Sequence, residues 1–266
     1  MERYGHTEKG WEQKMNTIKM THYPEVSYAY KESVNTLCTN LSFMGADKKV
    51  IMLTSVQSHE GKSLTTLSTA LTMAELGYKV VMVDMDLRKS QLKSRYSMQV
   101  TEGTGEGAVH YLSGKANIES ILYRIEGYGL DIVPAGRTVQ NSLPLLNSNK
   151  VTELLKRLRG EYDYVFVDAP PIGMIIDAAE ISKSCDGVLL VVKYNTVTKT
   201  EITEAKRQLE QAKCEILGAV LNDVAFDTLS SKHYYNKHYY SHYESGYYAE
   251  HKPKKEKPEK KRSIWK

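Results

Sequence analysis

Long hydrophobic runs are missing from this 266-residue chain: none approaches the roughly 18–20 apolar residues that a membrane-crossing helix needs. Residues 1–10 are polar and carry charges of both signs, so they do not read as a signal peptide. Cysteine is scarce. Cys38, Cys185 and Cys214 are odd in number, far apart and not in metal-ligand spacing. They read as free thiols in a reducing cytoplasm rather than as a disulfide framework or a metal site. Most of the chain also lacks a basic excess. The net charge is +4, but residues 230–266 hold ten Lys/Arg against four Asp/Glu, leaving 26 basic and 28 acidic side chains in residues 1–229. The globular part therefore does not read as a nucleic-acid binder, and no nucleic-acid partner is expected. The positive charge belongs to a tail, where it can act on an acidic partner or a lipid surface.

What is present is a core: 41% of residues are hydrophobic. Residues 1–30 show no clear periodicity, and Tyr23-Pro24 breaks any helix there. Val34, Leu37, Leu41 and Met44 then recur at helical spacing. Strand-like runs follow at 49–54, 79–84, 130–134, 163–168, 187–192 and 215–221, separated by helical stretches at about 62–76, 150–159, 178–184 and 198–212. Gly77 closes the first of these at a C′-like position. The strand runs are short, continuous and rich in Val, Ile and Leu, as strands covered on both faces are. They predict an α/β fold: a mainly parallel sheet with helices on both faces. Gly103, Gly105 and Gly107 predict a loop before a short helix near 109–112. After Asp227 the composition turns polar and aromatic, then Lys/Glu/Pro-rich, and reads as a disordered C-terminal tail. The expected organisation is an extension over 1–30, a nucleotide-binding domain over 31–229 and a tail over 230–266.

Thr54-Ser55-Val56-Gln57-Ser58-His59-Glu60-Gly61-Lys62-Ser63 lies between a strand and a helix, the setting of a phosphate-binding loop. Backbone N–H groups at a helix N-terminus face phosphates there. Lys62 would reach the β- and γ-phosphates and the Ser63 hydroxyl would ligate Mg²⁺. The pattern is incomplete, since its first glycine would fall at Val56. Two apolar strands supply the support: one delivers Asp84 and Asp86 at its carboxyl end, the other Asp168. Ligands of open α/β sheets bind beyond those ends, so the three carboxylates should converge near metal and γ-phosphate.

At these residues the sequence resembles the bacterial tyrosine kinases, the P-loop kinases of capsule and exopolysaccharide assembly. Gly61-Lys62-Ser63 is similar to their Walker A motif, Asp84-Met85-Asp86-Leu87-Arg88 to Walker A′, and Phe166-Val167-Asp168-Ala169-Pro170-Pro171 to Walker B. Leu217-Gly218-Ala219-Val220-Leu221-Asn222 resembles the strand whose Asn lies near adenine in related ATPases. The resemblance implies a three-layer P-loop NTPase fold, with ATP and Mg²⁺ as cofactors. It implies nucleotide contacts from Ser58, His59, Glu60, Gly61, Lys62, Ser63, Leu64, Arg88 and Asn222, a metal held by Ser63, Asp86 and Asp168, and catalytic roles for Lys62, Asp84, Asp86 and Asp168. Asp84 is the candidate for the base that takes the tyrosine proton.

Seven of the chain's 19 tyrosines, Tyr234, Tyr235, Tyr239, Tyr240, Tyr243, Tyr247 and Tyr248, lie within fifteen residues. The cluster resembles the family's autophosphorylated C-terminus. The resemblance further implies protein tyrosine substrates, a transmembrane polysaccharide co-polymerase or adaptor as partner, and a cytoplasmic position at the inner face of the plasma membrane through that adaptor. Two departures stand out. His59 takes the place of a usual loop glycine. In the family's E-x-x-R-x-x-R oligomerisation pattern, Glu32 is followed by Asn35 and Cys38 instead of two arginines. Self-association is therefore expected to be weak or partner-dependent. Cell-division and DNA-partition ATPases are the main alternative; they carry a signature Lys where this chain has Gln57, and lack the tyrosine-rich tail. A nucleotide-dependent scaffold with little kinase activity is the other.

Overall fold

The computed structural model describes residues 15–224. In chain order the elements are β1 (Asn16–Met20), α1 (Tyr28–Phe43), β2 (Val50–Ser55), α2 (Lys62–Glu75), β3 (Val80–Asp84), α3 (Leu92–Arg95), β4 (Met98–Glu102), α4 (Ala108–Leu112) and α5 (Ile118–Ile121). They continue with β5 (Tyr123–Ile125), β6 (Asp131–Val133), α6 (Leu143–Leu146), α7 (Lys150–Glu161), β7 (Tyr164–Asp168), α8 (Asp177–Ser182), β8 (Gly187–Lys193), α9 (Lys199–Gln211) and β9 (Ile216–Asn222). All nine strands form one sheet in the order β4-β1-β5-β6-β3-β7-β2-β8-β9. From β6 to β9 every neighbouring pair is parallel. Antiparallel pairing is confined to β1–β4 and β5–β6.

The continuous apolar runs read as they do because successive side chains serve opposite faces. In β2, Val50 and Met52 enter a core built with Leu154 and Leu158 of α7, Ile181 of α8 and Leu209 of α9. Ile51 and Leu53 enter the other core, with Val34 and Leu41 of α1 and Leu67 and Ala70 of α2. β3 splits in the same way, Val81 and Val83 to the first core and Val80 and Met82 to the second. The result is three layers, as expected.

Three strands were not legible. β1 lies in the segment without periodicity, β4 just before the loop read from Gly103, Gly105 and Gly107, and β5 beyond the short helix that follows it. Each is short, and β1 and β4 mix buried with exposed residues. β1 is nevertheless inside the sheet, parallel to β5 and antiparallel to β4. The short helix expected near 109–112 is α4. Gly107 precedes it because a Cβ there would stand 2.2 Å from the Pro134 carbonyl oxygen. Among the described residues no helix is long and apolar enough to cross a membrane. The tyrosine cluster and the predicted disorder of the tail lie outside the described residues.

Ile18 is 3% exposed and belongs to the second core. Ile18→Ala should lower unfolding free energy by about 3 kcal/mol, measured by denaturant titration; a change no larger than that of an exposed site would show that β1 does not carry core.

Candidate active site

β3 and β7 are register partners along their whole length, ending with Asp84 opposite Asp168. Sheet geometry thus brings two carboxylates side by side at the carboxyl edge, 1% exposed each. Burial, then the Asp168 charge, pushes the Asp84 carboxyl up to about 7, against the Ser90 hydrogen bond and Lys62, which pull it down. Burial also raises Asp168, against the pull of Lys62 and Ser63. Asp84 accepts from the Asp86 N–H at 3.2 Å and from the Ser90 hydroxyl. Asp86 accepts from the Lys89 N–H at 3.1 Å, so the turn after β3 is tied by its own acids.

Lys62, the first residue of α2, sends its Nζ to Asp168 Oδ1 at 3.2 Å, Asp86 Oδ2 at 3.5 Å and Ser63 Oγ at 3.2 Å. Burial opposes its charge, but Asp168, Asp86 and Asp84 overcome that and raise its pKa. The N-cap of α2 is Gly61, at φ 89°, and no side chain caps the helix. A Cβ at Gly61 would sit 2.0 Å from Asn222 Nδ2. The open first turn leaves backbone donors for an anion. His59 is exposed and also left-handed, at φ 66°, where glycine carries no steric penalty.

Ser58, His59, Gly61, Lys62, Ser63, Asp86 and Asp168 line one cleft. Sequence reasoning missed its other wall, Lys89, Ser90, Gln91, Leu92 and Arg95, which Pro171 of the Walker B-like segment adjoins. Their only signal was to follow the Asp84–Arg88 segment. Glu60 is not in the lining. Its buried carboxylate accepts from the Gln57 N–H at 2.6 Å and the Lys193 N–H at 3.2 Å. Asn222 donates to the Glu60 carbonyl at 2.8 Å, holding the loop from outside. Leu64 packs against the second core. Arg88 is turned away from the cleft: its guanidinium grips Asp177 at 2.8 and 3.0 Å, with Ser142 at 2.8 Å. On α1, Asn35 bonds back to Glu32 at 3.2 Å and Cys38 is fully buried, so neither position presents a cation.

The donors Ser63, Asp86 and Asp168 are hard oxygens of the kind Mg²⁺ takes. Among the described residues no cluster of three His, Cys, Asp or Glu side chains forms a metal cage.

Known proteins share this fold. The AAA domain family matches residues 48–218. The chain is 37% identical over 196 residues to tyrosine-protein kinase CpsD of Streptococcus pneumoniae serotype 4, covering 72% of this chain and 83% of that protein. It is 30% identical over 229 residues to tyrosine-protein kinase YwqD of Bacillus subtilis, covering 85% and 94%. The kinase domain of Escherichia coli tyrosine kinase ETK superposes with a TM-score of 0.69 at 28% identity, over 74% of this chain and 77% of that one. The septum site-determining protein MinD of Pyrococcus horikoshii, solved with Mg-ADP, reaches 0.56 at 25% identity, over 65% and 69%. The chain belongs to the bacterial tyrosine kinases, built on the P-loop AAA domain. Gln57, at the signature-lysine position of the partition ATPases, is bonded to Glu201 at 2.6 Å.

Two outcomes follow from this geometry. Arg88→Ala leaves Asp177, 2% exposed, with only Ser142; it should cost about 2 kcal/mol of stability by denaturant unfolding. Asp84 has a folded pKa near 7, above its ordinary value of 3.8. Its stabilising contribution is fully present below the lower value and is lost as pH rises through the upper one. In chelator and without nucleotide, Asp84→Asn should be less pH-sensitive than wild type across that window and more stable above it; parallel stability curves would refute the assignment.

Proposed function

We propose that this chain is an Mg²⁺–ATP-dependent protein-tyrosine kinase that phosphorylates the C-terminal cluster Tyr234, Tyr235, Tyr239, Tyr240, Tyr243, Tyr247 and Tyr248, and thereby regulates capsular or exopolysaccharide assembly. The observation that carries the reading is the Lys62 ammonium held between Asp86 and Asp168, with Asp84 buried beside them. The N-terminus of α2 and the loop amides receive phosphate oxygens. Lys62 turns from its carboxylates to the β- and γ-phosphates. Ser63, Asp86 and Asp168 hold the metal, which when bound neutralises charge on the polyphosphate. Asp84 orients the phenol and accepts its proton late, as the phosphorus–oxygen bond forms; a carboxyl raised toward neutrality is better matched to a phenol than an ordinary one. Lys89 and Arg95 add positive potential at the cleft wall. Most of the rate enhancement comes from positioning and charge neutralisation.

Each phosphate brings about −1.5 to −2 charges. A few reverse the tail's excess of ten basic over four acidic residues, so phosphorylation switches which surfaces the tail can meet. The regulatory partner is a transmembrane polysaccharide co-polymerase or adaptor, which places the kinase at the inner face of the plasma membrane. The Lys-rich end, 252–266, is suited to anionic lipid there. With Asn35 and Cys38 in place of arginines, assembly between copies is weak unless that partner is present.

Mass spectrometry of the purified protein after incubation with ATP–Mg²⁺ tests this. Phosphate should spread over the cluster, and Lys62→Met should reduce it by at least about a hundredfold. Phosphate release without tyrosine labelling would make the chain an ATPase; neither activity would make it a scaffold.

A further inference from the structure

The cleft wall that follows the strand-end acids carries positive charge that no acid balances. Lys89, Lys93 and Arg95 are exposed. Lys89 and Arg95 line the phosphate cleft, and Lys93 stands on the far side of the same segment, beside Ser90 and Leu92. Among the described residues none of the three pairs with a carboxylate; the Arg95 guanidinium bonds to the Gln91 side chain at 3.2 Å. Exposed cations on other helices do pair, Lys183 with Glu180 at 2.7 Å and Arg207 with Glu204 at 2.6 Å. The basic segment is also firmly anchored. Leu92 is 3% exposed and Tyr96 is fully buried, both in the second core. The Lys89 N–H donates to Asp86 at 3.1 Å, and the Ser90 hydroxyl donates to Asp84. The three cations therefore project from a backbone that is fixed relative to the carboxylates of the site.

We propose that Lys89, Lys93 and Arg95 select the acceptor by the negative charge flanking its tyrosine: a glutamate first, then a phosphotyrosine that the kinase itself has made. The proposal rests on the kinase reading above, in which α2 and Lys62 serve the polyphosphate, and adds how one acceptor tyrosine is chosen over another. Residues 234–248 carry Lys237 against Glu244 and so have no net formal charge. A phosphate adds about −1.5 to −2 charges, so each transfer makes the cluster a better match for the basic wall. Neighbouring tyrosines of the cluster are one to four residues apart. A phosphate on one thus lies within about 14 Å of the next along an extended chain. The sequence also gives the process a direction. Glu244 and Glu250 flank Tyr243, Tyr247 and Tyr248, whereas Lys232 and Lys237 flank Tyr234 and Tyr235. Phosphorylation begins at the glutamate-flanked tyrosines and spreads toward Tyr234, each phosphotyrosine priming its neighbour.

The test uses the full chain, ATP–Mg²⁺ and two synthetic peptides of residues 234–248. In both, Tyr239 is the sole acceptor and the other tyrosines are phenylalanine, except that the second carries phosphotyrosine at position 243. The primed peptide should show a kcat/KM at least about fivefold higher. That ratio should fall to within about twofold of one in the combined variant Lys89→Gln, Lys93→Gln, Arg95→Gln. In the unaltered protein it should also fall as salt rises from about 0.05 M to about 0.5 M, because screening shortens the reach of the charges. A ratio near or below one in wild type overturns the proposal, as does a ratio that survives the combined variant. The salt series decides the matter where that variant does not fold. Mass spectrometry of the chain's own cluster over time should find Tyr243, Tyr247 or Tyr248 labelled before Tyr234 and Tyr235; the reverse order overturns the direction. Absence of all tyrosine labelling would remove the kinase reading instead. Binding of the two peptides to the Mg-ADP-loaded protein, read by fluorescence anisotropy, would then still decide the basic wall: tighter binding of the phosphorylated one supports it, and equal binding overturns it.

Discussion

Three carboxylates and one ammonium at the carboxyl edge of the sheet set the terms for everything around them. Parallel pairing of β3 with β7 leaves no choice about where Asp84 and Asp168 go, and two packed cores deny them water on either face. Like charges that close are unfavourable in a low-dielectric setting. Lys62 answers part of the charge by pairing with Asp168 and Asp86, and a proton on Asp84 answers more. The site is thus built short of positive charge. A ligand that brings its own cation fits such a deficit; a bare anion would compete for Lys62 and leave the acids uncompensated. Burial first, and the Asp168 charge second, raise the Asp84 carboxyl to about 7 while its neighbours serve as charge partners.

The loop that must meet the phosphates is held by groups that never touch them. Glu60 points inward and collects amides from Gln57 and Lys193. Asn222 reaches from the end of β9 to the Glu60 carbonyl, and Gln57 reaches Glu201 at the start of α9. Glu201 also caps α9 with Thr198. The loop is therefore stitched to β8, β9 and α9 at once, which fixes its backbone donors before a ligand arrives. Preorganised donors of this kind require no rearrangement at the moment of reaction.

Legibility in the sequence followed burial. The central strands announced themselves because both faces are covered, which demands unbroken apolar runs. Asp84, Asp86 and Asp168 were legible because each closes or follows such a run. β1 and β4 were not, because in these two strands only alternate residues are buried: Ile18 and Met20 in β1 and Met98 in β4, among neighbours that are not. Roles fixed by distant partners were equally hidden. Arg88 sits in a motif that suggested nucleotide contact, yet its partner Asp177 lies 89 positions away. Glu60 looked like one more loop residue because nothing nearby in sequence reveals which way its side chain turns.

His59 lies in the middle of this stitched loop. Its left-handed backbone shows that the loop keeps a glycine-like path although glycine is absent. For a residue with a Cβ that conformation costs on the order of 1 kcal/mol, and such strain persists only where the surroundings over-determine it. Here they do: the next residue, Glu60, is pinned through its carboxylate to the Gln57 amide of the loop and the Lys193 amide at the end of β8, and through its carbonyl to Asn222. The substitution is therefore absorbed by the stitching rather than by a new loop shape. Its imidazole, standing exposed at the rim of a cleft that already holds Lys62, Lys89 and Arg95, adds a donor where a glycine would add none.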